Sequence, residues 1–302
     1  MIAKTLSALV PTAITSAMLV SGATAEDSSA AWTAGTYAIG DLRHRVETHR
    51  IYKCAVAGSS TIAPELDPTR WVDKAPTNRW AMFDGYTSTA TLQATSLTVV
   101  LRPGFFNALE LRGVTGANGV TVTVRSSPAG PVIYTYTDDM EGSEPGDWWE
   151  YWYMPFAPKD TTLCSGIEPF INAEITITLT SLTSVGVGML IVGDLVMLAA
   201  TLSGAEAQYT DYSYIDIDKD TAENIIKKGP NARDLRLSGY LPVADAVFVD
   251  AQLRALLGVP CVIRASAKDN LQPLSTYGLP TGSLRYPDNT HALLNLDVKG
   301  LI

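Results

Sequence analysis

Between Leu97 and Leu179 the chain alternates apolar and polar residues in one short segment after another, and this period of two narrows its fold more than any other feature. The segments are Leu97–Leu101, Ala108–Leu111, Val120–Val124, Val132–Tyr136 and Ala173–Leu179, separated by stretches containing Gly, Pro or Asn. Successive side chains of a strand point to opposite faces, so alternation marks a strand with one face in a core. Several such strands at this spacing predict an antiparallel sandwich. Val187–Leu198 is nearly all apolar and reads as a central strand, or as two strands turning at Gly193-Asp194.

The C-terminal part has a different texture. A helix is expected within Val243–Gly258, with Asp245 as N-cap, Val247, Leu253, Leu256 and Leu257 as its apolar residues, and Gly258 at its end. Strands are expected on both sides, at Leu235–Tyr240, Cys261–Ala265, Leu274–Gly278 and His291–Val298. The fold class that follows is mainly β: a small three-stranded domain, an antiparallel β-sandwich and a small α+β C-terminal domain. The expected boundaries are an arm over 1–28, then domains over 29–76, 77–202 and 203–302.

Charge limits the partners. The 302 residues carry 22 Lys and Arg against 31 Asp and Glu, a net charge of −9, whereas phosphate-backbone binding needs a basic excess. No nucleic-acid partner is expected. Cys54, Cys164 and Cys261 are odd in number, widely spaced and without a CxxC pair, so they read as buried thiols and not as a disulfide framework or a zinc site.

The first 25 residues pair Lys4 and an apolar stretch with Ala23-Thr24-Ala25 before Glu26, the pattern of a secretory leader. Pro11 interrupts that stretch and Thr5, Ser7, Thr12, Thr15 and Ser16 dilute it, and Leu6–Val20 is too short and polar to span a bilayer. It reads as an arm docking to another subunit, with a cleaved leader as the alternative.

Catalytic spacing is not found. His44, His49 and His291 stand in no HExxH pattern, no serine sits in GxSxG, and there is no Gly-rich phosphate loop. The chain is expected not to be an enzyme and to need no cofactor. Asp216, Asp218 and Asp220 begin like a calcium loop, but Thr221 and Lys227 stand where that loop needs Gly and Glu. Asp84-Gly85 reads as a turn. The run Asp147–Phe156, containing Trp148, Trp149, Tyr151, Trp152 and Tyr153, is the densest aromatic cluster. As a strand it would send Trp148 and Trp152 to one face with Glu150, and it reads either as a sugar-stacking or protein-docking surface or as a strand with two half-buried faces.

Trp32, Tyr37, Gly40-Asp41, Tyr52-Lys53-Cys54 and Trp71 follow in the order found in short chitin-binding modules, and this stretch resembles carbohydrate-binding families five and twelve. The resemblance implies a twisted three-stranded sheet whose rings stack on sugar faces. It points to Tyr52 and Trp71 first as ligand contacts; Tyr37, Trp148 and Trp152 complete the carbohydrate-contact candidates, and no metal ligand is expected. One sequence does not divide the module's rings between core and surface, and all four of Trp32, Tyr37, Tyr52 and Trp71 serving as core is the other reading. Arg43–Arg50 is more charged than the hairpin usual in those modules.

Asn78–Gly85 and the late segment Val187–Gly193 resemble galactose-binding-like jelly rolls. The whole order, with Thr15–Ser21 in the arm and Pro76–Asp84 after the module, is similar to virion proteins of tailed bacteriophages. That similarity implies a non-enzymatic structural component of a phage tail, a homo-oligomer within the virion, with other tail proteins and a host-surface glycan as partners. A secreted bacterial polysaccharide-binding protein is the alternative.

Overall fold

The computed structural model describes residues 4–22, 24–142, 147–153, 158–217 and 224–301. The chain is mainly β and divides into two compact units, one holding Ile14–Phe105 and Glu110–Ile191, the other Met1–Ala13, Phe106–Leu109 and Val192–Ile302.

In chain order the first strands are β1 Leu6–Pro11, β2 Leu19–Gly22, β3 Ala30–Ala31, β4 Gly35–Tyr37, β5 Leu42–Arg45, β6 Arg50–Cys54, β7 Gly58–Ser60 and β8 Trp71–Pro76. The next are β9 Thr91–Leu101, β10 Ala108–Thr115, β11 Gly119–Arg125, β12 Val132–Asp138, β13 Thr161–Ser165 and β14 Glu174–Thr201. A short helix, α1 Trp148–Tyr153, lies between β12 and β13. Then come β15 Glu206–Asp211, β16 Tyr214–Ile217, β17 Asn224–Lys227, β18 Asn231–Pro242, helix α2 Val243–Leu256, β19 Cys261–Arg264, β20 Ser275–Arg285 and β21 His291–Gly300.

In the first unit, β2, β9, β14, β11 and β12 pair in that order, all antiparallel where their register is defined. The register explains the alternation. Ile175 stands between Leu101 and Val124, Ile177 between Val99 and Val122, and Leu179 between Leu97 and Val120, so three rows of buried aliphatic side chains cross the sheet. Thr176 and Thr178 fall on the opposite face, and a slip of one residue would exchange the two faces. β10 pairs with β13, whose Cys164 is buried. The five expected sandwich segments are all strands.

The preceding module is β5–β6–β8, three antiparallel strands, extended by the two-residue β3, which runs parallel to β5; β4 and β7 form a separate pair.

The second unit is a closed antiparallel barrel. β14 pairs with β1, β1 with β19, β19 with β20, β20 with β21, β21 with β18, and β18 returns to β14 through Ala200↔Tyr240 and Thr201↔Gly239. Its core gathers Leu6, Ala8, Leu198, Leu235, Leu237, Ile263, Leu294 and Leu296, and α2 adds Ala246, Val249 and Leu256. Closure matters because it leaves these six strands with few unpaired backbone groups.

Residues 1–28 are not the expected arm in search of another subunit's core. Instead β1 is an interior barrel strand with Leu6, Ala8 and Leu9 fully buried, and β2 joins the sandwich sheet. An apolar run of this length finds its core in its own chain. The C-terminal domain is accordingly not confined to 203–302, since β1 and the end of β14 complete its barrel.

Gly193-Asp194 is not a turn. β14 runs straight through it, and Gly193 is needed because a Cβ there would collide with the Val10 carbonyl of the adjacent strand. Helix α2 forms as expected, but Asp245 does not cap it; Pro242 holds the N-cap position and Asp245 pairs with Lys4 at 3.0 Å. Val247 and Leu257 are exposed, and Val249 takes the inward place.

Candidate functional site

The module's rings are structural. Tyr37 and Tyr52 are each 6% exposed and Trp71 is 2% exposed; they cluster with Cys54, and half-buried Trp32 packs against them. Tyr37 meets Trp71 edge to face at 4.9 Å between ring centres. Trp71 Nε1 donates to Ser60 Oγ at 3.2 Å, Tyr37 OH donates to the Thr33 carbonyl, and Tyr52 OH donates to Thr48 Oγ1 at 3.3 Å. Guanidinium groups lie near two of the rings, Arg43 over Tyr37 and Arg45 over Trp32.

Tyr37, Tyr52 and Trp71 therefore do not offer open faces to a sugar, which corrects their reading as ligand contacts. A domain this small has so little interior that its largest rings go into making one. Two arginines of the charged hairpin are paired within the module: Arg45 reaches Glu65 at 3.0 Å and Glu47 at 3.2 Å, and Arg50 reaches Asp73 at 2.9 Å.

The other two candidates behave oppositely. Trp148 and Trp152 lie on α1, not on a strand, and are 78% and 72% exposed; Trp149 and Tyr153 are 69% and 71% exposed. Asp147 starts the turn by accepting the Glu150 amide at 2.7 Å, a local bond that competes with an extended backbone. At about 100° per residue the four rings fall within an arc of about 140°. Trp149 and Tyr153, four residues apart, bring their ring centres to 5.2 Å. A strand would have split this set between two faces; the helix gathers it on one side.

The connection that carries α1 is clamped at its base. Asp138 Oδ2, at the end of β12, accepts Lys159 Nζ at 2.7 Å, Thr162 Oγ1 at 2.9 Å and Tyr136 OH at 3.0 Å, and Oδ1 accepts the Met140 amide at 3.1 Å. Glu141 and Pro158 form a bridge just beyond. Burial pushes the Asp138 carboxyl up, but the Lys159, Met140, Thr162 and Tyr136 hydrogen bonds outweigh it and hold the group below the usual carboxylate range. On β13, burial drives the Cys164 thiol up to about 12, so it is inert at neutral pH.

A third arrangement has no counterpart in the spacing of the sequence. Ser16, Glu26 and His49 come from three separate segments of the first unit and meet in a line. Ser16 Oγ lies 2.7 Å from His49 Nε2, and His49 Nδ1 lies 2.9 Å from Glu26 Oε1. Thr77 Oγ1 donates to the same Glu26 oxygen at 2.8 Å, and Arg79 stands 3.9 Å from the other. The His49 ring stacks on Trp80, 3.9 Å between centres and 9° from parallel. The left-handed backbone of His49, φ 54°, costs a non-glycine residue roughly 1–2 kcal/mol and is a signal that no sequence pattern carries.

The remaining sequence candidates are ordinary. Asp84 accepts the Tyr86 amide and the Thr89 hydroxyl in a local turn. Asp216 pairs with Lys227 at 2.6 Å, and Asp218 and Asp220 lie outside the described residues. Among the described residues no three His, Cys, Asp or Glu side chains converge as a metal site, and no helix is long and apolar enough to cross a membrane.

The sequence matches no protein-family model and no curated protein. Among solved structures, the chain is similar to a point mutant of chitosan-binding module 1 from a chitosanase/glucanase of Paenibacillus sp. IK-5, with 12% identity, a TM-score of 0.26, and 37% of this chain and 81% of that one covered. It is also similar to the F5/8 type C domain of a Bacteroides fragilis protein, with 14% identity, a TM-score of 0.25, and 38% of this chain and 78% of that one covered.

Proposed function

We propose that this chain is a structural and adhesive component of a bacteriophage tail, and that it binds a host-surface glycan through α1 and not through the rings of its small module. The observation that carries the reading is the set of four rings on α1, each more than two thirds exposed. Large exposed aromatic side chains grouped on one element commonly mark a ligand or partner surface. A pyranose presents C–H groups on its faces, and a flat ring matches them in shape and polarity. Rings exposed at the surface, and not sunk in a pocket, suit a polymeric ligand. The tail context draws support from the similarity of Thr15–Ser21 and Pro76–Asp84 to tail virion proteins, and other tail proteins are then its assembly partners.

The test is depletion of the purified full chain by insoluble chitin, chitosan and bacterial cell-wall preparations, compared with Trp148→Ala/Trp152→Ala. The reading predicts binding to at least one of these and a loss of tenfold or more in the variant, equivalent to about 1.4 kcal/mol. Unchanged binding in the variant refutes the α1 site. Antibodies against the chain should decorate phage tails; recovery from culture medium as a chain beginning near Glu26 would refute the tail reading.

A further inference from the structure

We propose that Ser16, His49 and Glu26 form an acyl-transfer site that hydrolyses oxyesters, a function that neither rests on the glycan-binding reading nor follows from the sequence patterns, which point away from an enzyme. The geometry is that of a nucleophile, a base and an orienting carboxylate in line, at 2.7 Å and 2.9 Å. The proton positions follow from the partners. Thr77 Oγ1 donates to Glu26 Oε1, leaving that oxygen an acceptor, so His49 Nδ1 carries the proton it shares with Glu26. His49 Nε2 is then the lone-pair nitrogen, and the Ser16 hydroxyl donates to it. This is the tautomer a general base needs.

Burial is graded as the chemistry requires. Ser16 is exposed, while the side chains of His49 and Glu26 are 13% and 11% exposed. The imidazole is held from two directions, by the Glu26 carboxylate at its edge and by Trp80 against its face. Ser16 and Ala17 are the central residues of a turn closed by the Met18 amide on the Thr15 carbonyl at 2.9 Å. The Ala17 amide follows the nucleophile directly, which is the position from which a backbone N–H can stabilise an oxyanion.

In the forward step Ser16 Oγ attacks the ester carbonyl carbon and its proton passes to His49 Nε2. The tetrahedral adduct collapses, and the departing alkoxide takes that proton and leaves as an alcohol. Water then attacks the acyl-Ser16 carbonyl, gives a proton to His49 Nε2, and the acid departs as Ser16 Oγ regains its proton. The sum is ester plus water to acid plus alcohol, with no other reactant. Ser16 and His49 are the catalytic residues and Glu26 is a positioning residue. An exposed turn with one flanking amide suits an oxyester, whose leaving group is better than that of an amide, with its acyl group projecting from a larger molecule.

The experiment uses the full chain with its N-terminus confirmed by mass, because a chain beginning at Glu26 lacks the nucleophile. A fluorophosphonate probe should form one adduct, mapped by peptide mass spectrometry to Ser16, and p-nitrophenyl acetate should be turned over. Ser16→Ala should lose both, and His49→Gln should lower turnover about 10²–10⁴-fold. Glu26→Gln should lower kcat with KM unchanged and near-UV circular dichroism retained. Absence of an adduct at Ser16 in the unmodified chain, or equal turnover by Ser16→Ala, overturns the proposal whatever the fold of the other variants. Loss of glycan binding by the α1 variant leaves these readouts unaffected.

Discussion

Replacing Trp71 with alanine separates a core ring from a ligand-contact ring. Trp71 is 2% exposed, meets Tyr37 edge to face and donates to Ser60 Oγ. Truncating a buried Trp to Ala costs about 3–5 kcal/mol through lost transfer energy and the cavity left behind. Ser60 Oγ loses the bond it accepts but keeps its donation to the Ile62 carbonyl at 3.2 Å, so the packing loss dominates. The cluster holds only Tyr37, Tyr52, Cys54 and the partly buried Trp32 besides Trp71, so little is left to absorb such a loss. Hydrogen exchange followed by mass spectrometry should show β5, β6 and β8 losing protection while β9, β11 and the first half of β14 keep theirs. Trp71→Phe, which retains a ring but not the indole N–H, should cost much less. If Trp71→Ala keeps full protection in β5, β6 and β8, the assignment of this ring to the core is wrong.

Asp138→Asn should destabilise the base of the α1 connection by about 1.5–3 kcal/mol, the usual contribution of hydrogen bonds to a charged group, seen as faster exchange in Glu141 and its neighbours. Since the folded Asp138 carboxyl titrates below its unfolded value, its stabilisation is present above about pH 4 and fades as pH falls through the folded value; a urea titration series from about pH 6 to about pH 2.5 should show a larger loss in the parent than in Asp138→Asn, where other lowered carboxyls such as Asp27 still contribute. Gly193→Ala should force β1 and β14 apart and lower the melting temperature of the barrel, whereas alanine at Gly204, with no atom near its would-be Cβ, meets only backbone strain at φ 91°. Removing residues 1–11 takes Leu6 and Leu9 out of the barrel, each contributing about 1.5–3 kcal/mol when fully buried, and should yield an aggregated or protease-sensitive chain.

The sandwich is legible in the sequence because its strands carry their burial pattern locally: Ile175, Ile177 and Leu179 face one way whatever lies beside them. The barrel strands of the C-terminal region are legible for the same reason. The barrel's closure is not, since it depends on β1, at the opposite end of the sequence from its other strands, and an apolar run does not announce whose core it fills. The aromatic run at Trp148 has the composition of a strand because Trp and Tyr favour strands; the Asp147 side chain, bonding to the Glu150 amide, decides the local conformation instead. Tyr37, Tyr52 and Trp71 stand out in the sequence, yet composition does not distinguish a ring that fills a small core from one that meets a ligand. Ser16, Glu26 and His49 share no spacing at all, and only the fold brings them into line.

Adhesion through α1, and not through the module's cluster of Tyr37, Tyr52 and Trp71, is decided by one titration. Soluble oligosaccharide, from whichever polymer depletes the chain, is titrated calorimetrically into the parent and into Trp148→Ala/Trp152→Ala, under conditions where the circular dichroism of the two agrees. Affinity should fall tenfold or more with the melting temperature unchanged. Parent-like affinity in that folded variant would overturn the assignment of adhesion to α1.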